Sequence, residues 1–253
     1  MRRKAAPIAE DPRTPIIPCA HNLCPCSVQD YQICTLCGTY VSMAPVDPAA
    51  IYERDYWTHE NGRSTIAEQS FNVDSHHECG VTKNEYVMGQ IEGAGGGALE
   101  IACAPGNLLR RLHDAGFTPV FGIDVDRSYR EYIQETAGPE AHLMFGYFPE
   151  VTARINPGSF SLIVALDLFE HIHDPGPFLT ECKRLLKDGG QLLLMLPMVS
   201  PGEEVTERFF CPAEHVYVHS VKHVTMMLEW AAFEAIKFGR WTSGHETVSA
   251  RVA

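Results

Sequence analysis

The sequence predicts an α/β protein whose mostly parallel sheet carries helices on both faces, with a small N-terminal metal-binding segment. Apolar runs of strand length alternate with amphipathic helical segments from residue 98 onward, and this alternation is typical of a parallel sheet. A turn of small residues separates the first of these strands from its helix. Six cysteine and histidine residues crowd into positions 19–37, which predicts a metal site before the sheet.

Composition and charge narrow the class of protein. A chain of 253 residues with 45% apolar residues can hold one α/β domain and a small appendage. The formal charge of −12 argues against broad nucleic-acid binding, because phosphate contacts need a basic face. We find no apolar run near the ~20 residues that span a bilayer, and no signal peptide, so we expect no membrane partner. Nine cysteines then favour a reducing, cytoplasmic location with free or metal-bound thiols.

The N-terminal residues divide into an arm and a metal-binding segment. Residues 1–18 hold four prolines and mixed charges, and we expect a flexible arm. In residues 19–50, the C-x-x-C-G pattern at 34–38 predicts a zinc knuckle, because its turn points two thiolates at one ion. The other half is less regular, so the choice among the remaining ligands stays open, as does a set of unliganded thiols. The candidate zinc ligands are Cys19, His21, Cys24, Cys26, Cys34 and Cys37.

Residues 51–97 predict a lid and a helical region. Residues 52–80 are polar and aromatic with weak periodicity, as in segments that close over a bound ligand. Residues 76–79, with two histidines, a glutamate and a cysteine, are expected to form a surface loop. Residues 81–92 predict a helix, and the glycine-rich stretch 93–97 predicts a hinge.

Residues 98–116 predict a cradle for a nucleotide-type cofactor. A strand at 98–103 is followed by a turn at 104–106 and by a helix that Asn107 can cap and Gly116 ends. Backbone can approach a ligand closely where side chains are small, and a helix N-terminus adds free N–H groups. Glu100 at the end of the strand would repel a pyrophosphate and attract a cationic ligand.

The rest of the sheet follows in order. Residues 119–124 predict a second strand that ends at Asp124, where an acid can bind a ribose diol, with Asp126 as an alternative. A helix at 127–137 and a strand at 142–148 come next. Strands at 160–167 and 191–197 flank a helix that Asp174 caps. After an irregular stretch at 198–219, a helix begins behind Ser220, and an antiparallel hairpin at 234–241 and 246–252 closes the chain.

These residues resemble the class I S-adenosylmethionine-dependent methyltransferases. The first motif of that family keeps its acid as Glu100 and its last glycine as Gly106, whereas Ala102 and Ala104 replace two glycines. The run 160–197 closely resembles the family's fourth motif with its following helix and fifth strand. The resemblance implies a Rossmann-like, seven-stranded domain over residues 98–253.

The resemblance also implies S-adenosylmethionine as cofactor and a set of residues that hold it. The acid that many relatives carry after the third strand is absent, so backbone or aromatic side chains would contact the adenine. Residues 34–57, with a zinc knuckle, prolines and a tyrosine-rich stretch, resemble the zinc ribbon of bacterial sugar and natural-product methyltransferases. The implied cofactor-binding residues are Glu100, Ala102, Ala104, Gly106, Asp124, Val125, Tyr147, Phe148 and Asp167.

The predicted function is methyl transfer to a small molecule, such as a sugar nucleotide or a natural-product intermediate. A protein or RNA methyltransferase that recognises its substrate through the zinc segment is one alternative. A binding module with an inactive S-adenosylmethionine fold, whose zinc segment recruits a partner, is another. His215 is the candidate general base and His171 a second catalytic candidate that could instead order its turn. We expect His173, His219 and His223 at the surface. A catalytic metal site is a further alternative, drawn from Glu170, His171, His173, Glu214 and His215.

Overall fold

The computed structural model describes residues 19–53, 56–58, 63–75, 77–78, 80–199, 209–242 and 244–253. The predicted arm at 1–18 lies outside these residues, as do positions 76 and 79 of the predicted surface loop and part of the stretch at 198–219.

The described residues form thirteen strands and seven helices. The strands are β1 (Leu23–Pro25), β2 (Tyr31–Cys34), β3 (Tyr40–Ser42), β4 (His77–Glu78), β5 (Val81–Thr82), β6 (Ala98–Ile101), β7 (Val120–Asp124), β8 (Ala141–Phe145), β9 (Phe160–Leu166), β10 (Leu186–Val199), β11 (Tyr217–Ser220), β12 (Phe233–Thr242) and β13 (His245–Val252). The helices are α1 (Pro48–Tyr52), α2 (Ile66–Ser75), α3 (Lys83–Gly89), α4 (Asn107–Asp114), α5 (Arg130–Ala137), α6 (Pro175–Leu185) and α7 (Val221–Trp230).

The central sheet has the predicted mostly parallel, seven-stranded arrangement. Its order is β8-β7-β6-β9-β10-β13-β12, with the first five strands parallel and β13 antiparallel to both of its neighbours. The middle strands are apolar along their length, as parallel strands covered on both faces must be. Residues 192–196 of β10, for example, are fully buried.

Helices cover both faces of this sheet. Phe178 and Leu179 of α6 pack with Val224 of α7 in one buried apolar cluster. Leu109 of α4 and Ile133 of α5 pack in a second cluster on the opposite face. The predicted α/β class is therefore confirmed. None of the helices in the described part of the chain combines the length and apolar character that crossing a bilayer requires.

The N-terminal segment at 19–50 continues the central sheet through β11. Strand β3 pairs antiparallel with β11, with Tyr217 opposite Val41, and β11 pairs parallel with the end of β10. The sequence predicts an irregular stretch at 198–219, whereas β11 begins at Tyr217 within it. Strand β11 is paired on both edges. We expected His219 and His223 at the surface, but they are 0% and 1% exposed.

Helix α4 begins differently from the prediction. Gly106, with φ +100°, is the N-cap residue, and Asn107 is the first helical residue. A Cβ at position 106 would lie 2.8 Å from the Ile133 carbonyl oxygen, so only glycine fits. The Asn107 side chain instead binds α2, accepting from the Ser70 hydroxyl at 2.8 Å and donating to Asp74 at 2.7 Å.

Candidate functional site

A cavity of about 580 Å³ opens at the carboxyl ends of β6, β7 and β9. Ligands in open α/β sheets bind at this edge. All nine residues that the sequence analysis assigned to the cofactor line the cavity, and so do His171 and His215. Tyr52, Tyr56 and Trp57, from the segment predicted to be a lid, line it as well.

The backbone between β6 and α4 forms the floor of the cavity. Ala102, where the family motif has glycine, has φ +61°, in the left-handed region that glycine adopts more easily. The Cys103 N–H donates to the Ile123 carbonyl at 2.9 Å, and the Ala104 N–H donates to Asp124 at 3.0 Å. These bonds tie the turn to β7 and leave the N-terminus of α4 facing the cavity.

Asp124 ends β7 with both carboxylate oxygens placed by backbone. One oxygen accepts from the Ala104 N–H and the other from the Asp126 N–H, each at 3.0 Å. Each oxygen keeps a lone pair for a further donor such as a ribose hydroxyl. Asp126, the alternative candidate, accepts from the backbone and hydroxyl of Ser128 and thus caps the next turn.

Glu100 is buried beneath the same turn, with 5% of its surface exposed. Its Oε2 atom has no hydrogen-bond partner among the described residues. Burial, and then the charge of Asp124, raise the pKa of Glu100 well above its ordinary value. A cationic ligand in the cavity would offset that cost and favour the ionised carboxylate.

Asp167 joins two side chains that the sequence analysis did not select. It follows β9 with φ +49°, accepts a hydrogen bond from the Lys83 ammonium, and lies 2.5 Å from His245 Nε2. Burial by itself raises the pKa of Asp167, but the charges of Lys83 and His245 outweigh it and hold that pKa well below its ordinary value. Lys83 and His245 come from α3 and β13, and no local sequence pattern connects them to Asp167.

Two histidines meet at the other end of the cavity. The rings of His171 and His215 form an edge contact with centroids 4.7 Å apart. His171 Nδ1 lies 2.8 Å from the Tyr52 hydroxyl and 3.0 Å from the Glu214 carbonyl oxygen. His215 Nδ1 lies 2.7 Å from the Phe209 carbonyl oxygen. Burial lowers the pKa of His171 to about 4 and lowers that of His215, so both rings are neutral at pH 7.

The predicted alternative metal ligands separate into two groups here. Glu170, His171 and His215 bring ligand atoms within 4.8 Å of one another. His173 is exposed, and the Glu214 carboxylate forms a salt bridge with Arg63. The Glu214 carboxylate is therefore engaged elsewhere, and His173 lies outside the cluster.

A second group of candidate ligands lies in the N-terminal segment. Cys19, His21, Cys34 and Cys37 bring their ligand atoms within 4.8 Å of one another. The Cys19 and Cys34 sulfurs are 3.6 Å apart, and Cys37 Sγ is 3.6 Å from His21 Nδ1. A tetrahedral zinc ion with Zn–S bonds of 2.3 Å sets sulfurs about 3.8 Å apart, so this donor set fits zinc.

The thiols of the cluster differ in their ionisation: burial and the neighbouring thiols raise the pKa of Cys19 to about 12, whereas Cys34 ionises more easily. Although burial raises the pKa of Cys34, hydrogen bonds from the Cys37 backbone and from His21 lower it to about 6. Cys24 and Cys26 lie outside the cluster. The Cys24 thiol is directed at the Ile33 carbonyl at 3.5 Å and the Cys26 thiol at the Tyr31 carbonyl at 3.2 Å, because β1 pairs with β2.

The comparisons with known proteins agree with this geometry. Residues 76–239 match the family model described as "Methyltransferase domain". A ubiquinone biosynthesis O-methyltransferase from Caulobacter vibrioides is 29% identical over 135 residues, which cover 49% of this chain and 53% of that protein. The chain thus spans about half the length of the curated relatives it matches.

Solved structures share the fold at low sequence identity. The Haemonchus contortus phosphoethanolamine N-methyltransferase 2 in complex with S-adenosyl-L-methionine matches with a TM-score of 0.64 and 15% identity, covering 84% of this chain and 61% of that one. The geranyl diphosphate C-methyltransferase from Streptomyces coelicolor matches with a TM-score of 0.57 and 12% identity, covering 68% and 79%.

Proposed function

Because this chain belongs to the methyltransferase-domain family of class I S-adenosylmethionine-dependent enzymes, we propose that it transfers a methyl group from S-adenosylmethionine to a hydroxyl of a small molecule. The observation that carries the proposal is the cavity at the carboxyl ends of the parallel strands, lined by every residue that the family motifs assign to the cofactor. A sugar nucleotide or natural-product intermediate fits this class of acceptor.

One end of the cavity suits the methyl donor and the other end suits the methyl acceptor. The ribose would bind Asp124, the adenine would lie between Val125 and the aromatic side chains Tyr147 and Phe148, and the cationic methionine part would approach Glu100. The acceptor would then enter on the side of His171 and His215.

Transfer requires little covalent chemistry from the protein. The acceptor oxygen forms a bond to the methyl carbon as the C–S bond breaks. The electron pair of the C–S bond stays on sulfur. Holding donor and acceptor in line can supply about 7–11 kcal/mol of the barrier. A hydroxyl acceptor must also lose its proton. A general base and a bound cation both meet that need, and the Nε2 atoms of His171 and His215 could serve in either role.

We also propose that Cys19, His21, Cys34 and Cys37 bind one structural zinc ion. Their side chains supply four donors at suitable spacing. Gly38, with φ +80°, closes the knuckle turn, and the Leu36 N–H donates to the Cys34 sulfur at 3.4 Å. A metal would hold together a segment too small to have its own apolar core.

The arrangement favours a small-molecule acceptor over a macromolecule read by the zinc segment. Strands β1–β3 are paired into the main sheet through β11, so the segment is part of the domain and not a separate arm. Its Tyr31 hydroxyl donates to the His215 carbonyl at 2.9 Å, which places it behind the acceptor end of the cavity.

Calorimetric titration with S-adenosylmethionine tests the proposed function. We expect binding by the wild type and a loss of about ten- to 100-fold in affinity in Asp124→Ala, because a hydrogen bond to a charged group contributes about 1.5–3 kcal/mol. Asp188→Ala, on the exposed start of β10, is the matched control. Since Asp124 also fixes the turn, thermal melting must show that the variant is folded.

Two results would count against the proposal. A wild type that does not bind the cofactor would support the inactive-module alternative. Unchanged affinity in Asp124→Ala would remove Asp124 from the ribose site.

A further inference from the structure

Three potential metal ligands converge at the acceptor end of the cavity. The ligand atoms of Glu170, His171 and His215 lie within 4.8 Å of one another, and His171 Nε2 is 3.9 Å from Glu170 Oε1. Ligands bound to one ion at about 2.1 Å lie roughly 3–4 Å apart. Small side-chain movements would therefore bring all three onto a single cation.

Glu170 lies buried at this end of the cavity, where its carboxylate accepts a hydrogen bond from its own backbone N–H. It is 1% exposed, and its Oε2 atom has no hydrogen-bond partner among the described residues. A buried carboxylate oxygen without a partner is costly, and a bound cation is one of the few groups that can offset the cost. A general base at His215 would leave this oxygen without a partner.

Both histidines are fixed in the orientation that metal ligands adopt. His171 Nδ1 lies 3.0 Å from the Glu214 carbonyl and His215 Nδ1 lies 2.7 Å from the Phe209 carbonyl. A carbonyl can only accept, so His215 Nδ1 carries the proton and its Nε2 keeps the lone pair. His171 Nδ1 also lies 2.8 Å from the Tyr52 hydroxyl, which can donate or accept, and a metal on Nε2 requires Nδ1 to donate to the Glu214 carbonyl. Metal-binding histidines almost always hold their second ring nitrogen in this way.

We propose that Glu170, His171 and His215 bind a divalent transition-metal ion that in turn binds the oxygen of the methyl acceptor. Two imidazoles and one carboxylate suit Mn²⁺, Fe²⁺ or Zn²⁺ better than Mg²⁺ or Ca²⁺. Such a set leaves coordination positions open. An acceptor with two adjacent oxygens could fill two of them, which would orient its hydroxyl toward the cofactor.

The ion would help the acceptor hydroxyl to lose its proton. This inference rests on the proposed methyl transfer to a hydroxyl. Coordination lowers the pKa of the acceptor hydroxyl, and its proton passes to water. The oxygen lone pair then forms the O–CH₃ bond while the C–S bond breaks. The products are the methyl ether, neutral S-adenosylhomocysteine and one proton, and the ion is unchanged.

The test uses protein loaded with only one zinc ion per chain, which the thiolates of the N-terminal site bind first. This protein is titrated with Mn²⁺, and binding is measured as the loss of the free-ion signal in electron paramagnetic resonance. Manganese competes poorly for thiolates, so the N-terminal zinc site does not interfere. We expect one Mn²⁺ per wild-type chain and an affinity at least about tenfold weaker in Glu170→Gln and in His215→Gln. His173→Gln is the matched control, because His173 is exposed and outside the cluster.

S-adenosylmethionine binding is measured on the same samples and separates the two proposals. Intact cofactor binding without Mn²⁺ binding in the wild type would overturn the metal site and leave the methyltransferase proposal standing. Wild-type Mn²⁺ affinity in both Glu170→Gln and His215→Gln would also overturn it. Either glutamine variant that still binds the cofactor is folded well enough for its metal affinity to count.

Discussion

Glu100 shows how a single residue can favour ligand binding at the expense of stability. Its carboxyl group is buried, and its pKa is raised by that burial and by Asp124. The folded protein without ligand therefore holds a proton that the unfolded chain releases above a pH of about 4.3. The stability linked to that proton is present in acid and decreases as the pH rises toward the folded-state pKa.

We expect Glu100→Gln to raise the melting temperature of the ligand-free protein near pH 7 and to weaken S-adenosylmethionine binding by about tenfold or more. The gain in melting temperature should shrink toward pH 4, where the wild-type carboxyl is protonated in both states. Melting curves from pH 4 to 8, with and without the cofactor, check both parts.

Glu92→Gln is the control for the sign of this effect. Glu92 bonds to Lys237 and Arg251, which lower its pKa to about 2, so its substitution should give no gain in stability at neutral pH. A gain in Glu100→Gln that stays constant across the pH range would contradict the role assigned to Glu100.

At the scale of elements, the strand β1 and the knuckle after β2 divide the N-terminal cysteines into two groups. Cys34 belongs to the group with Cys19, His21 and Cys37, whereas the Cys24 thiol is directed at a backbone carbonyl. We expect about one zinc per chain by elemental analysis of protein prepared without chelator. Cys34→Ser should lose this zinc, because the site then lacks one of its thiolates.

Cys24→Ser and Cys182→Ser are the controls for the zinc site. Cys24 is close in sequence but outside the cluster, and Cys182 is fully buried in the α6 core. Both variants should keep the metal. Retention of zinc in Cys34→Ser, or its loss in Cys24→Ser, would contradict the ligand set.

The elements that the sequence predicted are those with strong local patterns. Strand β9, helix α6 and most of β10 form one run whose apolar spacing, cap and glycines determine their structure locally. Strand β11 was missed because it has only four residues and forms through pairing with two strands distant in sequence, β3 and β10. Helix α2 was missed because its attachment to α4 is polar, through Asp74 and Arg111, and gives little apolar periodicity.

At the scale of the whole molecule, the candidate site combines residues from local sequence patterns with residues from elements distant in the chain. The motif residues around Glu100 and Asp124 could be selected because they belong to a local strand–turn–helix pattern. Lys83 and His245 could not, since they reach Asp167 from elements 84 and 78 positions away along the chain. Which cysteines share a metal depends on strand pairing, and the sequence alone left that choice open.

The N-terminal segment contacts the loop that carries His215 at the acceptor end of the cavity. Tyr31 of β2 is buried, its hydroxyl donates to the His215 carbonyl, and its ring packs against Phe210. The Ser42 hydroxyl donates to the Pro212 carbonyl at 2.7 Å. Residues 209–216, which carry His215, are therefore supported from behind by the segment that holds the proposed zinc.

We expect Tyr31→Phe to loosen this loop while leaving cofactor binding unchanged. The substitution removes one hydroxyl and leaves the His215 carbonyl unsatisfied, at a cost of about 1–3 kcal/mol. Hydrogen exchange should accelerate in residues 209–216 but not in residues 98–124, and S-adenosylmethionine affinity should match the wild type.

Tyr40→Phe is the matched control, because the Tyr40 ring also packs on Phe210 but its hydroxyl is not bonded to the His215 carbonyl. Exchange at the wild-type rate in Tyr31→Phe, or equal acceleration in the two variants, would show that the bond from Tyr31 to the His215 carbonyl is not what supports the loop.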